Sequence, residues 1–222
     1  MFNWPPGGTD LAMGLAGFLL LWYVIGMQMN RRRAVTLVRQ VRDSIQPFGG
    51  KATIRWFGRS AFRVEAEQLT SPILRMDISV VLEPRETFFL WVFGRLRGRR
   101  DWLVAAATLG GSVRSAFEVY HPGRRGVSQA AFVIRNKGWR QDPLAGRAPL
   151  LCAAPDADGH ALVREVMSLL LQIEVWRVGL HQEAPHLTIS MPVPATETRS
   201  TLPVFGLLPQ LAKTVLTRDS KR

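Results

Sequence analysis

The chain has 222 residues, with 29 Lys and Arg against 17 Asp and Glu, for a formal net charge of +12. Hydrophobic residues make up 47% of it, which excludes disorder and allows one sizeable core. The single cysteine, Cys152, excludes a disulfide scaffold and a cysteine zinc cluster, and its neighbours Leu151, Ala153 and Ala154 mark it as a small buried apolar residue.

Leu11 to Met29 (LAMGLAGFLLLWYVIGMQM) has no charge and one amide. At 1.5 Å per residue such a helix spans roughly 28 Å, about the thickness of bilayer hydrocarbon. Residues 1–10 carry no Lys or Arg and no A-x-A site follows, so the pattern is that of an anchor and not of a cleavable signal. Only Asp10 precedes the segment, whereas Arg31, Arg32, Arg33, Arg39 and Arg42 follow it. The positive-inside rule therefore predicts a short N-terminus outside and the rest of the chain in the cytoplasm. Ala34, Leu37, Val38, Val41 and Ile45 recur at spacings of three and four, so the helix is expected to continue to Pro47-Phe48-Gly49-Gly50. Residues 30–50 then form a basic juxtamembrane helix and turn. It can serve as a stem, as a polybasic contact with anionic lipid, or as both.

Residues 51–83 change period. Lys51–Phe57, Ala61–Leu69 and Ile73–Glu83 alternate apolar with polar, as half-buried strands do, and Gly58-Arg59-Ser60 and Thr70-Ser71-Pro72 separate them as turns. Residues 84–101 (PRETFFLWVFGRLRGRRD) are predicted to hold a helix. Phe88, Phe89, Trp91 and Phe93 crowd it, and Arg95, Arg97, Arg99 and Arg100 follow at once. This helix belongs either in the core, with its basic end at the negative pole of the macrodipole, or at a bilayer interface with arginines on headgroups.

Asp101–Leu109 and Val113–Tyr120 read as two strands around Gly110-Gly111, and Ala130–Ile134 as a further one. Residues 135–158, rich in Gly, Pro, Arg and Ala, read as a loop. Gly159–Gln172 reads as a helix capped by Asp156 or Asp158. Ile173–His181 and His186–Val193 form a closing pair of strands. Ser200–Leu216 is a final helix with Pro203 in its first turn and Pro209 placed to kink it. The expected fold class is α+β: a transmembrane helix at 11–29, then a cytoplasmic domain at 51–217 with an antiparallel sheet and two or more packed helices. Residues 218–222 make a polar tail.

Catalytic patterns are not visible. His181 and His186 are separated by Pro185 and share no helical face. Asp156-Ala157-Asp158-Gly159 lacks the third oxygen ligand and the closing glutamate of a calcium loop. No phosphate-binding glycine motif and no G-x-S-x-G occurs. The expectation is a non-enzymatic protein with no catalytic residues, cofactor, metal or small-molecule substrate. Charge is what stands out. Residues 31–63 carry nine cations against Asp43 alone, and further groups lie at Arg95–Arg100 and at Arg124, Arg125, Arg135, Lys137 and Arg140. Phosphate is the natural counter-ligand, either of anionic lipid or of ribosomal RNA. The residues picked for contact with membrane or an anionic partner are Arg31, Arg32, Arg33, Arg39, Arg42, Phe88, Phe89, Trp91, Phe93, Arg95, Arg97, Arg99 and Arg100.

Three stretches resemble the calumin family, single-pass coiled-coil-domain subunits of the multipass translocon. Trp56-Phe57-Gly58-Arg59 with the strand Phe62–Leu69 is similar to that family's W-x-x-G-R strand pair. Thr87–Leu109 is similar to its helix, basic turn, Asp and apolar strand. His186–Val215 is similar to its last strand, V-P step and L-L-P helix. The family's acidic luminal region has no counterpart in residues 1–10, and its C-terminal coiled coil has none beyond Leu216. The resemblance implies a chaperone or scaffold in membrane-protein insertion, whose partners are an insertase or translocon. The alternative is a structural accessory subunit of a respiratory or photosynthetic membrane complex.

Overall fold

α1, Gly8–Ile45, is one uninterrupted helix of 38 residues, roughly 57 Å long. The computed structural model describes residues 7–124, 127–144, 146, 149–194 and 202–220, so the first six residues of the expected outer terminus, Arg125 and the expected start of the last helix at Ser200 lie outside the described residues. α1 ends in a single 3₁₀ turn, Gln46–Phe48, followed by Gly49 and Gly50 at positive φ. Gly50 is needed there: a Cβ would stand 2.2 Å from the Glu67 carbonyl oxygen.

The expected meander forms as β1 (Lys51–Phe57), β2 (Ala61–Glu67) and β3 (Ile73–Val81). The helix expected in 84–101 is α2, Phe88–Leu96. β4 (Trp102–Leu109) follows, then β5, which spans only Phe117–Tyr120. These two do not pair with each other, because β9 and β8 come between them. Two expectations are corrected next. Ala130–Ile134 is not a strand but part of α3, Val127–Lys137. Ala130 and Ile134, four apart, are buried while Phe132 is exposed, which is helical spacing. The stretch expected to be a loop contains β6 (Gln141–Pro143) and β7 (Leu151–Ala153), which pair with each other and extend the sheet from β5.

α4 (Ala157–Leu169) starts at Asp156, whose carboxylate accepts from the Gly159 amide at 2.7 Å. β8 (Arg177–Leu180) and β9 (Leu187–Pro192) form the expected closing pair. α5 runs from Pro203 through Pro209 to Ser220, past the expected end at Leu216.

The fold is α+β. Among the described residues nine strands lie in one antiparallel sheet in the order β1-β2-β3-β4-β9-β8-β5-β7-β6. One face carries Phe62, Val64, Met76, Ile78, Leu103, Ile189 and Val178, and the second half of α1, with α4 and α5, buries it. The outer face of β1–β3 is ion-paired: Arg55 with Glu65, Arg63 with Asp77, and Arg75 with Asp77. α3 covers the outer face at β5 and β8. The stem expected between anchor and domain is therefore a core helix, with Leu37 and Val41 wholly buried.

Candidate functional site

Register brings one end of the sheet against α1. Phe57 lies opposite Ala61, Ala61 opposite Val81, Val81 opposite Trp102, and Trp102 opposite Pro192. From this rim the β1–β2 turn and the β3–β4 connection reach the helix between Phe18 and Arg33. The Trp22 indole donates to the Arg85 carbonyl at 3.0 Å. At Gly26 the backbone of Arg85 and Glu86 comes so close that a Cβ would stand 2.2 Å from the Arg85 oxygen. Asn30, 1% exposed, donates to the Glu83 carbonyl at 3.0 Å and the Glu86 carboxylate at 2.7 Å, and accepts from Arg85 at 2.9 Å. Arg85 in turn grips both oxygens of Asp101, at 3.0 and 2.8 Å, while Arg33 Nε lies 3.6 Å from the same carboxylate. A two-pronged guanidinium–carboxylate contact fixes orientation as well as distance.

α2 lies below this network along α1. Phe88 packs edge-on against Phe18 (5.2 Å between centroids) and Trp22 (4.8 Å), and Trp91 stacks tilted on Trp22 at 5.5 Å. The helix is not a core helix: of its residues only Gly94 is buried. Its outward face presents Phe89, Leu90, Phe93 and Leu96, the last 80% exposed. The β1–β2 turn also touches α1. Exposed Trp56 and Phe57 precede Arg59, whose guanidinium donates to the Tyr23 phenol at 2.7 Å and touches Met27 Sδ at 3.1 Å.

The cations expected at the interface divide into groups. Arg33 is tied to Asp101, Arg95 lies 3.7 Å from Glu83, and Arg100 lies 3.3 Å from Glu174. Arg97 sits over the Phe93 ring at 4.9 Å, and the stem of Arg99 packs where a side chain on Gly94 would be. Arg31 and Arg32 are exposed on α1, close to this rim. Arg39 and Arg42 are exposed too, but roughly 25 and 30 Å beyond Trp22 along the axis, and so stand apart from the rim. Arg124, at 5.6 Å over the Trp176 ring and donating to the Gly98 carbonyl at 3.2 Å, joins the rim instead. Trp56, Phe57, Arg59 and Arg124 are rim residues outside the expected set. W-F-G-R was legible as a hairpin turn, but nothing local says what the turn touches.

The first half of α1 is long and apolar enough to cross a membrane, and 6% of that window is buried in the protein. Leu11, Met13, Leu20 and Leu21 are among its exposed side chains. A core helix of a water-soluble domain would be mostly buried.

Two polar clusters lie away from the rim. Under α3, fully buried Glu118 receives Arg177 on both oxygens at 2.9 and 2.6 Å, with His181 Nε2 at 3.2 Å from one of them. Burial alone would raise the Glu118 pKa, but the hydrogen bonds from His181 and Arg177 and the Arg177 charge together hold it below the ordinary carboxylate range. A carboxylate so saturated is a fixed anion. Near β7, Cys152 Sγ stands 3.9 Å from His160 Nδ1, and His160 Nε2 stands 3.9 Å from Asp142. The first is a long sulfur contact and the second exceeds hydrogen-bond length, while the thiol, its pKa pushed up by burial and the Asp142 charge, donates to the Asp142 carbonyl at 3.4 Å. Among the described residues no three His, Cys, Asp or Glu side chains converge as metal ligands.

No protein-family model matches the chain, and no curated protein matches it in sequence.

Proposed function

We propose that this is a single-pass membrane protein, its N-terminus outside, whose cytoplasmic α+β domain is fixed on the membrane surface as a non-enzymatic scaffold for other membrane proteins. The observation that carries this reading is the order of side chains along α1. Exposed aliphatics come first, then the aromatic packing of Phe18, Trp22, Phe88 and Trp91, then Arg59 at Tyr23 and Met27, and last the Asn30–Arg85–Asp101 network. That order suits a helix leaving the cytoplasmic leaflet, with the aliphatics and the aromatic packing inside the Leu11–Met29 span and the charged network where that span ends. The exposed apolar face of α2 and the Trp56-Phe57 turn sit beside this stretch of α1. Arg31, Arg32, Arg59, Arg97 and Arg99 are placed for anionic headgroups.

A role in membrane-protein insertion, with an insertase or translocon as partner, is supported by where the family-like stretches fall. Trp56–Arg59 and Thr87–Leu96 both belong to the rim beside α1. The N-out orientation rests on arginine asymmetry across the span. In whole cells, an impermeant thiol reagent is expected to label Thr9→Cys but not Glu183→Cys, and buried Cys152 leaves little background. The reverse labelling inverts the topology. Detergent purification of the full chain should bring down insertase, translocon or ribosomal proteins. Recovery of respiratory or photosynthetic subunits in their place would replace the insertion role with that of a structural accessory subunit.

A further inference from the structure

We propose that the groove between α1 and β1 is a binding site for one anionic phospholipid, an inference that rests on the single-pass reading above. On α1, Met27, Arg31, Ala34 and Val35 lie at i, i+4, i+7 and i+8, one helical face. Across from them stand Trp56 and Arg59, and the cleft between holds about 370 Å³, within the roughly 300–1,000 Å³ of small-molecule sites. The opening has a cause in the topology. Ile54 and Trp56 pair with Val64 and Phe62 and so point to the helical side of the sheet. β1 is the edge strand, however, and no helix extends over it, so every residue of β1 is exposed.

The charge pattern selects the occupant. Two arginines line one apolar cleft, and neither meets a carboxylate within 4 Å among the described residues. Between Asp10 and Asp43 α1 carries no acid, and β1 carries none. Two like charges sharing a cleft call for an anion between them, and apolar Met27 and Trp56, on the bilayer side of that pair, call for a hydrocarbon chain. Arg59 is held at headgroup level by Tyr23, and amphipathic Trp56 and Tyr23 flank it. A phospholipid supplies both parts in one molecule: its phosphate bridges Arg31 and Arg59 while an acyl chain runs past Met27 and Trp56 toward the apolar first half of α1.

The test uses the full chain in bilayer discs of equal parts phosphatidylcholine and phosphatidylglycerol, released into mild detergent for native mass spectrometry. One phosphatidylglycerol per chain is expected to stay bound. Arg31→Gln with Arg59→Gln should cut that retention roughly thirtyfold, the worth of two surface cations, and the double Lys variant should restore most of it. Arg39→Gln with Arg42→Gln, exposed on α1 but apart from the rim, should leave it unchanged. A photo-crosslinker replacing Trp56 should capture lipid. Retention indifferent to the groove arginines, equal loss in the Arg39 and Arg42 variant, capture of a polypeptide at Trp56, or displacement by soluble glycerophosphate overturns the site. Alkaline carbonate stripping the wild-type chain from membranes overturns the anchor itself. A chain that resists carbonate but holds no lipid fails only the groove.

Discussion

Gly26 and Glu118 are residues whose identity is set by a close neighbour. At Gly26 any side chain meets the Arg85 backbone, so Gly26→Ala must lift the β3–β4 connection off α1 or bend the helix. A cost of about 1–3 kcal/mol is expected, as for overpacking, whereas Gly14→Ala and Gly17→Ala, with open space around them, should be neutral. Thermal unfolding of the full chain in one detergent compares the three. Glu118→Gln leaves the Arg177 guanidinium buried without its counter-charge and should cost about 3–5 kcal/mol at neutral pH. Because the folded-state pKa of Glu118 is depressed, its contribution is complete above the ordinary glutamate pKa. It is lost as pH falls from there through the folded value, since the unfolded chain then binds the proton first. Unfolding followed from pH 7 downward should show that acid limb in the wild type and a flatter one in Glu118→Gln.

At the scale of elements, α2 is held by one face and offers the other. Phe88 and Trp91 are packed on α1, so Trp91→Ala should destabilise the rim. Phe89 and Phe93 point outward, and Phe89→Ser with Phe93→Ser should leave folding within about 0.5 kcal/mol of wild type. Changing Arg97, Arg99 and Arg100 together to Gln should be equally mild, because the ion pair to Glu174 that it removes joins two half-exposed side chains and is worth little, while Arg95 is kept beside the buried carboxylate of Glu83. Both variants should, however, lose contact with an anionic bilayer. In phosphatidylglycerol vesicles, amide exchange across Phe88–Leu96 is expected to be slow in the wild type, faster in either variant and faster at high salt. Identical exchange in all three would show that α2 faces water.

For the molecule as a whole, the consequence is rigidity. α1 serves two environments without a hinge: its first half is exposed and apolar, and its second half is a core helix under the sheet. The first half of α1 and the domain cannot turn independently while Leu37, Val41 and Ile45 are buried and Asn30 is bonded to the β3–β4 connection. Leu37→Ala should therefore cost about 2–5 kcal/mol in denaturant unfolding of the whole domain. A helix that were only a stem would tolerate it. Such stiffness suits the proposed scaffold, which would present one face at a fixed height above the bilayer.

What the sequence determined by itself is what local periodicity controls. The apolar run of Leu11–Met29, the spacing of Ala34 to Ile45, the alternation of Lys51 to Glu83, the aromatic and arginine run at 88–100 and the Asp156 cap each depend on neighbours within a few residues. They name elements correctly for that reason. Ala130–Ile134 misled because five residues, all apolar, fit either period until Ala130 and Ile134 find Tyr120 and Ala153 beneath them. β6 and β7, three residues each, exist only because β5 leaves an edge to pair with. The order of strands, the meeting of Glu118 with Arg177, the docking of Arg85 on Gly26 and the groove beside β1 were decided in the tertiary structure alone. Each joins residues dozens of positions apart, and the energy of such contacts is realised only when the whole sheet closes against α1, α4 and α5.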